Sequence, residues 1–162
     1  MIVLPPKDSN AGCEVRLLLA ECRSPAYKVY SAADAKLSMQ YMDKVLFNRL
    51  ENPKPYGAAG AKSIADIVRA PGQFAGFGAY PTITDDLALR IQSIVDIANS
   101  RKDKRKQLYI DFIDAAIAVT SESSIADPTP GKLVSWRTEG SGPPGGSFKL
   151  FKSVMGNTYY YI

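Results

Sequence analysis

The stretch from Leu17 to Pro25, LLLAECRSP, places a carboxylic acid directly after an apolar run. A helix that needs only to stay soluble would carry Glu21 on its solvated face. Near the negative end of a helix and against apolar neighbours, the charged form of an acid is disfavoured and its pKa rises. Such a carboxyl group stays protonated near neutral pH and is able to give a proton to a glycosidic oxygen. The alternative is a fraying helix end with Glu21 in solvent.

The chain contains no histidine, which excludes Ser-His-Asp and Cys-His catalysis and most zinc sites. Without a cofactor, proton transfer then has to use Asp, Glu, Lys, Tyr or Cys. Cys13 and Cys22, if both lie on the first helix, are separated by roughly 13 Å, too far for a disulfide, and are expected to be free thiols. Glu14 lies roughly 10 Å before Glu21 along the helix, farther than a retaining pair of carboxylates allows, and is expected to be solvated.

Three other motifs have a structural and a functional interpretation. The segment Gly57 to Ser63, GAAGAKS, resembles a phosphate loop, but its glycines are too close and an alanine precedes the lysine. A loop that ends in the helix cap Ser63 is therefore predicted. Residues 140–146 contain two prolines with no helix after them, which predicts a surface loop. Trp136 is either a stacking platform for a sugar or base, or an anchor in the core.

The net charge of +4 suits an anionic polymer such as cell wall or nucleic acid, and equally a solvated surface. The basic run at 101–106, RKDKRK, has no interleaved aromatic residues that would stack on bases. It is predicted to be the turn that leads into a helix, and no nucleic acid is expected as a partner. No apolar run approaches the roughly 20 residues that a membrane-spanning helix needs. The start, MIVLPPKDSN, lacks the basic and apolar regions of a secretory signal.

Caps, breakers and apolar periodicity predict a single domain over residues 1–162, mainly helical (α+β) with a small C-terminal β-hairpin. Candidate helix caps are Asp8 or Ser9 for the first helix, and Ser31, Ser63 and Thr84 for the next three. The predicted helices cover about 10–23, 32–50, 64–70, 85–99 and 104–120. Two β-prone runs, Phe148–Val154 and Thr158–Ile162, flank Met155-Gly156-Asn157, which predicts the hairpin turn.

Four stretches occur in an order that resembles the SleB-type cell wall hydrolase family, lysozyme-like enzymes of the spore-cortex-lytic group. They are E-C-R at 21–23, V-L-F-N-R-L at 45–50, P-G-Q-F at 71–74 and M-G-N-T-Y-Y-Y at 155–161. The family's usual pattern is E-A-R, an apolar run ending in N-R, then G-Q-F, and a G-N/H-aromatic strand near the end. The resemblance spans roughly residues 14–161. It departs from the family at Cys22, at residues 24–30, where a glycine-rich segment is usual, and at 82–120, which is longer and more helical.

The resemblance implies a lysozyme-like domain that cleaves the bond between N-acetylmuramic acid (MurNAc) and N-acetylglucosamine (GlcNAc) in peptidoglycan. It implies Glu21 as the catalytic residue. One acid suffices for a lytic transglycosylase, which is favoured over a hydrolysing muramidase, and no metal or other cofactor is needed. Asn48 and Arg49 are expected to tie the loop after the third helix to the end of the second. The residues expected to bind substrate are Gln73, Phe74, Tyr159 and Tyr161.

A wall-cleaving enzyme is expected to act in the bacterial envelope, in the periplasm or cell wall, on the glycan strands of peptidoglycan. Since no signal is visible, the expected routes are a dedicated export system, as for an antibacterial effector, or a cropped mature chain. An effector would need a cognate inhibitor or immunity protein that covers Glu21 in the producing cell. The alternative is a non-catalytic glycan- or protein-binding module on a lysozyme-like scaffold, with Glu21 inert.

Overall fold

A computed structural model describes the whole chain, Met1–Ile162. It confirms a mainly helical α+β fold, with five α-helices followed by a three-stranded antiparallel sheet. None of the helices has the length and apolar character needed to cross a bilayer. The elements are α1 (Asn10–Glu21), α2 (Ala32–Glu51), α3 (Ile64–Val68), α4 (Asp85–Asn99), α5 (Lys106–Ser121), β1 (Leu133–Thr138), β2 (Lys149–Val154) and β3 (Asn157–Tyr161).

Helix α1 is the central element of the fold. Of its two candidate caps, Ser9 is the one used: its side chain accepts a hydrogen bond from the backbone N–H of Gly12 at 2.9 Å. Helices α2, α3, α4 and α5 all pack against α1, so its residues are buried on almost every side. The chain before α1 folds back over it so closely that a Cβ at Gly12 would lie 1.9 Å from the carbonyl oxygen of Pro6. Only glycine fits there.

The prediction that Glu14 is solvated was wrong. Its exposed fraction is 4%, and its Oε1 has no hydrogen-bond partner. Burial raises the pKa of Glu14 well above its usual range, and the neighbouring carboxyl of Asp43 on α2 raises it further. The error has a simple cause: a helix is expected to keep one solvated face, whereas the neighbours of α1 leave almost none of it in solvent.

Both cysteines are free, as predicted, and both are buried. Burial raises the pKa of Cys13 and of Cys22 to about 12. Because the thiolate is the reactive form, these thiols are poor nucleophiles at neutral pH.

The sheet has the order β1-β3-β2. The predicted hairpin is confirmed as β2 and β3, and the turn residues Met155 and Gly156 both have positive φ (50° and 73°), as a type I′ turn requires. Strand β1 was not predicted, and it makes β3 the central strand. Its six residues read LVSWRT and lie between loops rich in proline and glycine. No neighbouring residue therefore indicated that this segment pairs with another strand.

The sheet is joined to the helices through α2. Strand β1 packs on α2, which also contacts α5 on the helical side. From the central strand, the hydroxyl of Tyr159 donates to the backbone carbonyl of Ser38 on α2 at 2.9 Å and lies 2.5 Å from the Ser38 hydroxyl. Buried polar groups are thereby paired across the interface between sheet and helix.

Replacing Glu14 by Gln is expected to flatten the pH dependence of stability. Because the folded-state pKa of Glu14 is raised, its stabilising contribution is complete below the unfolded pKa and is lost as the pH rises toward the folded pKa. Wild type should therefore lose up to about 1.4 kcal/mol per pH unit above about pH 4.5, relative to Glu14→Gln.

Urea unfolding between pH 4 and pH 9 measures this difference. The control is Glu122→Gln, since Glu122 is exposed and its substitution should leave the slope of wild type unchanged. Parallel curves for wild type and Glu14→Gln would mean that Glu14 ionises as an ordinary glutamate.

Candidate active site

Two adjoining cavities form a cleft with Glu21 between them. The larger lobe has a volume of about 620 Å³ and the smaller lobe about 390 Å³, and both are open to solvent. The side chains that distinguish the larger lobe are Arg49, Tyr56, Gln73, Phe74, Trp136 and Phe148. Those that distinguish the smaller lobe are Arg23, Thr84, Asp86, Leu87 and Arg90. The residues lining both lobes are Glu21, Ala75, Thr138 and Asn157.

Glu21 is held in the cleft because it is the last residue of α1. The apolar residues before it anchor the helix in the core. Cys22 is already extended, and its backbone N–H donates to the carbonyl of Leu18 at 2.9 Å. Asn157, at the start of β3, donates from its side-chain amide to the carbonyl of Glu21 at 3.4 Å. The sheet and the core therefore fix the point at which α1 ends.

The surroundings of Glu21 favour its protonated form. Burial raises its pKa, while a hydrogen bond from Trp136 and the charge of Arg90 act in the opposite direction. The Nε1–H of Trp136 donates to the Glu21 Oε2 at 3.2 Å. Glu21 is nevertheless half-buried and faces the open cleft, so its setting is neither the solvated helix end nor fully dry. The same setting supplies two groups that stabilise the carboxylate once it forms.

Trp136 belongs to the wall of the cleft. It is 9% exposed, and its ring lies 5.3 Å from that of Phe74 at an angle of 34°. Trp136 was expected to be either a stacking platform for a sugar or base, or an anchor in the core. Its burial favours the anchor, since little of the ring is free to stack on a ligand. Its contact with Glu21 joins residues 115 positions apart and depends on β1, so the sequence carried no signal for it.

Arg49 is a buried cation that forms no salt bridge. Its Nε–H donates to the carbonyl of Val134 at 2.8 Å, and an Nη1–H donates to the Gln73 Oε1 at 3.0 Å. Its guanidinium carbon lies 4.8 Å from the ring centre of Tyr56 and 5.3 Å from that of Phe74. Burial lowers the pKa of Arg49 to about 10, so it stays charged at neutral pH. The prediction that Arg49 ties the loop after α3 to the end of α2 is confirmed.

The same prediction was wrong for Asn48. Its side-chain amide donates to the Asp127 Oδ2 at 2.7 Å and to the carbonyl of Leu133 at 2.8 Å. It therefore ties α2 to the segment that enters β1 and not to the loop after α3. Two consecutive residues of α2 thus place two different walls of the site.

Gln73 and Phe74 line the larger lobe, near Glu21, whereas Tyr159 and Tyr161 do not line the cleft. The side-chain oxygen of Gln73 is taken by Arg49, which leaves its amide nitrogen without a protein partner. Tyr159 is fully buried against Tyr41, so its expected position beside substrate is corrected. Tyr161 is partly buried at the far end of β3. As the central strand, β3 has strands on both edges, and only its first residue, Asn157, reaches the cleft.

Four arginines line the cleft and none of them forms a salt bridge. Arg49 and Arg137 lie in the larger lobe, and Arg23 and Arg90 in the smaller one. The acids of the cleft are Glu21 and Asp86, so cations outnumber carboxyl groups. Such a cleft attracts anionic substrates. Arg90 and Arg137 fall outside the four stretches, and Arg23, although it belongs to E-C-R, was given no role, so none of these three was expected at the site.

No group of three or more His, Cys, Asp or Glu side chains is placed to hold a metal ion.

Replacing Trp136 by Phe should raise the pKa of Glu21 further. The variant keeps an aromatic ring beside Phe74 but removes the N–H that stabilises the Glu21 carboxylate. Carbon-13 NMR titration of the Glu21 carboxyl measures the change in both proteins. Glu51 is the internal reference, since Lys132 lowers its pKa through a hydrogen bond and its charge. A Glu21 that titrates below Glu51, or that does not respond to Trp136→Phe, would contradict this account.

Arg49→Lys should lower the free energy of unfolding by about 2–3 kcal/mol. Lysine has no planar fork, so it cannot donate to the Val134 carbonyl and the Gln73 amide together as Arg49 does. The matched control is Arg137→Lys, an exposed arginine of the same lobe, for which about 0.5 kcal/mol or less is expected. Urea unfolding compares the two, and equal effects would argue against Arg49 as the residue that holds the wall.

No family model, curated protein or solved structure matches this chain. The relationship to SleB-type hydrolases therefore stays a prediction from the four sequence stretches. The features that bear on function are those of the cleft itself: one acid with a raised pKa, a partly aromatic larger lobe, and a smaller lobe with two arginines.

Proposed function

We propose that this protein is a peptidoglycan-cleaving glycosidase that cuts the MurNAc–GlcNAc bond, with Glu21 as its acid and base. The observation that carries the proposal is the placement of Glu21. Its carboxyl group has a raised pKa and lies between two open lobes, so that a polymer chain lying along the cleft would cross it. The E-C-R motif, which resembles the catalytic E-A-R of SleB-type enzymes, supports the same residue.

The larger lobe suits sugar rings. Phe148 is half-buried and supplies apolar surface along the lobe, against which the C–H face of a sugar can pack. Tyr56, Phe74 and Trp136 also line the lobe but are buried, with little exposed surface. Gln73 leaves its amide nitrogen without a protein partner, in reach of an acetamido carbonyl of a bound sugar. Both sugars of peptidoglycan carry such an acetamido group.

The proposed reaction is a lytic transglycosylation. The protonated Glu21 gives its proton to the glycosidic oxygen, and the bond from C1 of MurNAc to the leaving GlcNAc oxygen breaks. The C6 hydroxyl of the same MurNAc then attacks C1, and its proton passes to the Glu21 carboxylate. The new C6–O–C1 bond closes a 1,6-anhydro ring, and Glu21 returns to its acid form. In this cycle, Trp136 and Arg90 stabilise the carboxylate between the two proton transfers.

Hydrolysis is the competing outcome at the same bond. It requires a carboxylate to activate water, and Asp86 is the only other acid that lines the cleft. A hydrogen bond from Thr84 is the main factor that lowers the pKa of Asp86, and Asp86 lies in the first turn of α4, where a negative charge stabilises the helix. These local roles account for Asp86, so transglycosylation with one acid is preferred.

An enzyme with this activity would act in the bacterial envelope on glycan strands. If it is an exported antibacterial effector, the producing cell needs an inhibitor or immunity protein that covers the cleft around Glu21.

The test is digestion of purified sacculi by wild type and Glu21→Gln, with products identified by mass spectrometry. Wild type should release fragments with 1,6-anhydro-MurNAc ends. Glu21→Gln should lose activity by about 10²-fold or more, because an amide cannot transfer the proton. Glu122→Gln, at an exposed glutamate, is the matched control and should retain full activity.

The other outcomes separate the alternatives. Reducing ends in place of anhydro ends, lost in Asp86→Asn, would indicate a hydrolase. Equal release by wild type and Glu21→Gln would overturn Glu21 as the catalyst. Tight binding to sacculi with no release would indicate a non-catalytic binding module.

A further inference from the structure

The smaller lobe contains two arginines whose charges the protein leaves unpaired. Arg23 follows Glu21 by two residues, and Arg90 lies on α4; both line this lobe. Neither forms a salt bridge. The only protein acceptor of Arg90 is the carbonyl of Cys22, at 3.4 Å, and Arg23 donates no hydrogen bond to the protein. Most of their ten N–H donors are therefore available to a ligand.

Both side chains are held in place without being neutralised. The guanidinium carbon of Arg23 lies 5.4 Å from the ring centre of Tyr27, a cation–π distance. Beside it, Gly156 leaves open a space in which a Cβ would lie 3.1 Å from the Arg23 Nε. Arg90 is positioned by its contact with Cys22, and its charge acts on Glu21. Asp86 also lines this lobe, but it forms no ion pair with either arginine.

The two lobes therefore offer different chemistry on either side of Glu21. The larger lobe has four aromatic side chains, whereas the smaller lobe has none. A guanidinium group presents a planar fork of donors that matches a carboxylate, and such a charged pair is roughly twice as strong as a neutral hydrogen bond. Sugar hydroxyl groups would not require two cations. An anionic group of the substrate would.

We propose that Arg23 and Arg90 form a subsite for a carboxylate carried by the glycan beside the cleaved bond, an inference that rests on the proposed function. In peptidoglycan that carboxylate comes from one of two sources. It is the lactyl carboxyl of MurNAc where the stem peptide is missing, or an acidic residue of the stem peptide where it is present. The smaller lobe adjoins Glu21, so binding there places the adjacent sugar linkage at the acid.

The first test measures binding without cleavage. The guanidinium Nε–H signals of Arg23 and Arg90 are followed by nitrogen-15 NMR during titration with MurNAc, which has a free carboxylate, and with GlcNAc, which has none. MurNAc should shift both signals in a saturable way and GlcNAc should not. Arg23→Gln should weaken MurNAc binding about tenfold. Arg101→Gln, at an exposed arginine outside the cleft, is the control and should bind as wild type does.

Arg23→Gln is the decisive variant, because Arg90 also acts on the pKa of Glu21 and its loss would alter proton transfer as well. Thermal unfolding of each variant checks that it is folded. Equal shifts with both sugars, or wild-type binding of MurNAc by Arg23→Gln, would overturn the subsite. Cleavage plays no part in these measurements, so an inactive wild type would overturn the proposed function alone.

The second test identifies the source of the carboxylate. Soluble glycan strands with stem peptides, and strands stripped of them by an amidase, are digested by wild type and Arg23→Gln. A KM raised about tenfold with little change in kcat is expected on the strands that supply the carboxylate. A rise on peptide-bearing strands alone assigns the stem peptide, and a rise on stripped strands alone assigns the lactyl group. A fall in kcat with unchanged KM on both would overturn the subsite.

Discussion

The buried charge of Arg49 is the constraint on which the cleft depends. A guanidinium group without a carboxylate partner is tolerated in a protein interior only if hydrogen-bond acceptors and ring faces compensate for the lost water. Here the acceptors come from β1 and from the loop after α3, and the rings are those of Tyr56 and Phe74. Gln73, Tyr56 and Phe74 line the larger lobe themselves, and Val134 directly precedes Ser135 and Trp136, which line it. The need to satisfy one cation thus brings three separate segments of the chain to one place.

Glu21 shows the same principle with the opposite charge. Its burial disfavours the carboxylate, which is a cost to stability at neutral pH. An ordinary surface glutamate at the end of α1 would carry no such cost. Proteins retain an unfavourable group of this kind where its chemistry is used. Glu14, about two helical turns before Glu21 on the same helix, also has a raised pKa. It lines no part of the cleft and therefore has no access to substrate.

The parts of the fold that could be predicted from sequence are those set by local chemistry. Serine caps begin α1, α2 and α3 as expected, and the turn at Met155-Gly156 was predicted from its residue types. Helix α1 ends at Glu21, two residues before its predicted end near residue 23. The errors all depend on distant residues. Strand β1 exists because β3 pairs with it, Glu14 is buried because other helices surround α1, and Tyr159 faces α2 because β3 is a central strand. At the candidate site, the acid was found from its neighbours, but its partner Trp136 was not.

The central place of β3 in the sheet has a consequence for the order in which the molecule is built during translation. Both of its neighbouring strands precede it in the chain, so neither has a partner when it leaves the ribosome. Five helices are synthesised before any strand pairs, and the contact from Asn157 to Glu21 closes a loop of 136 residues. Contacts so distant in sequence form slowly. The part of the cleft that Asn157 supplies therefore forms only after β3 has been synthesised, and a nascent chain that stops short of β3 lacks both this contact and the partner strand that holds Trp136 in place.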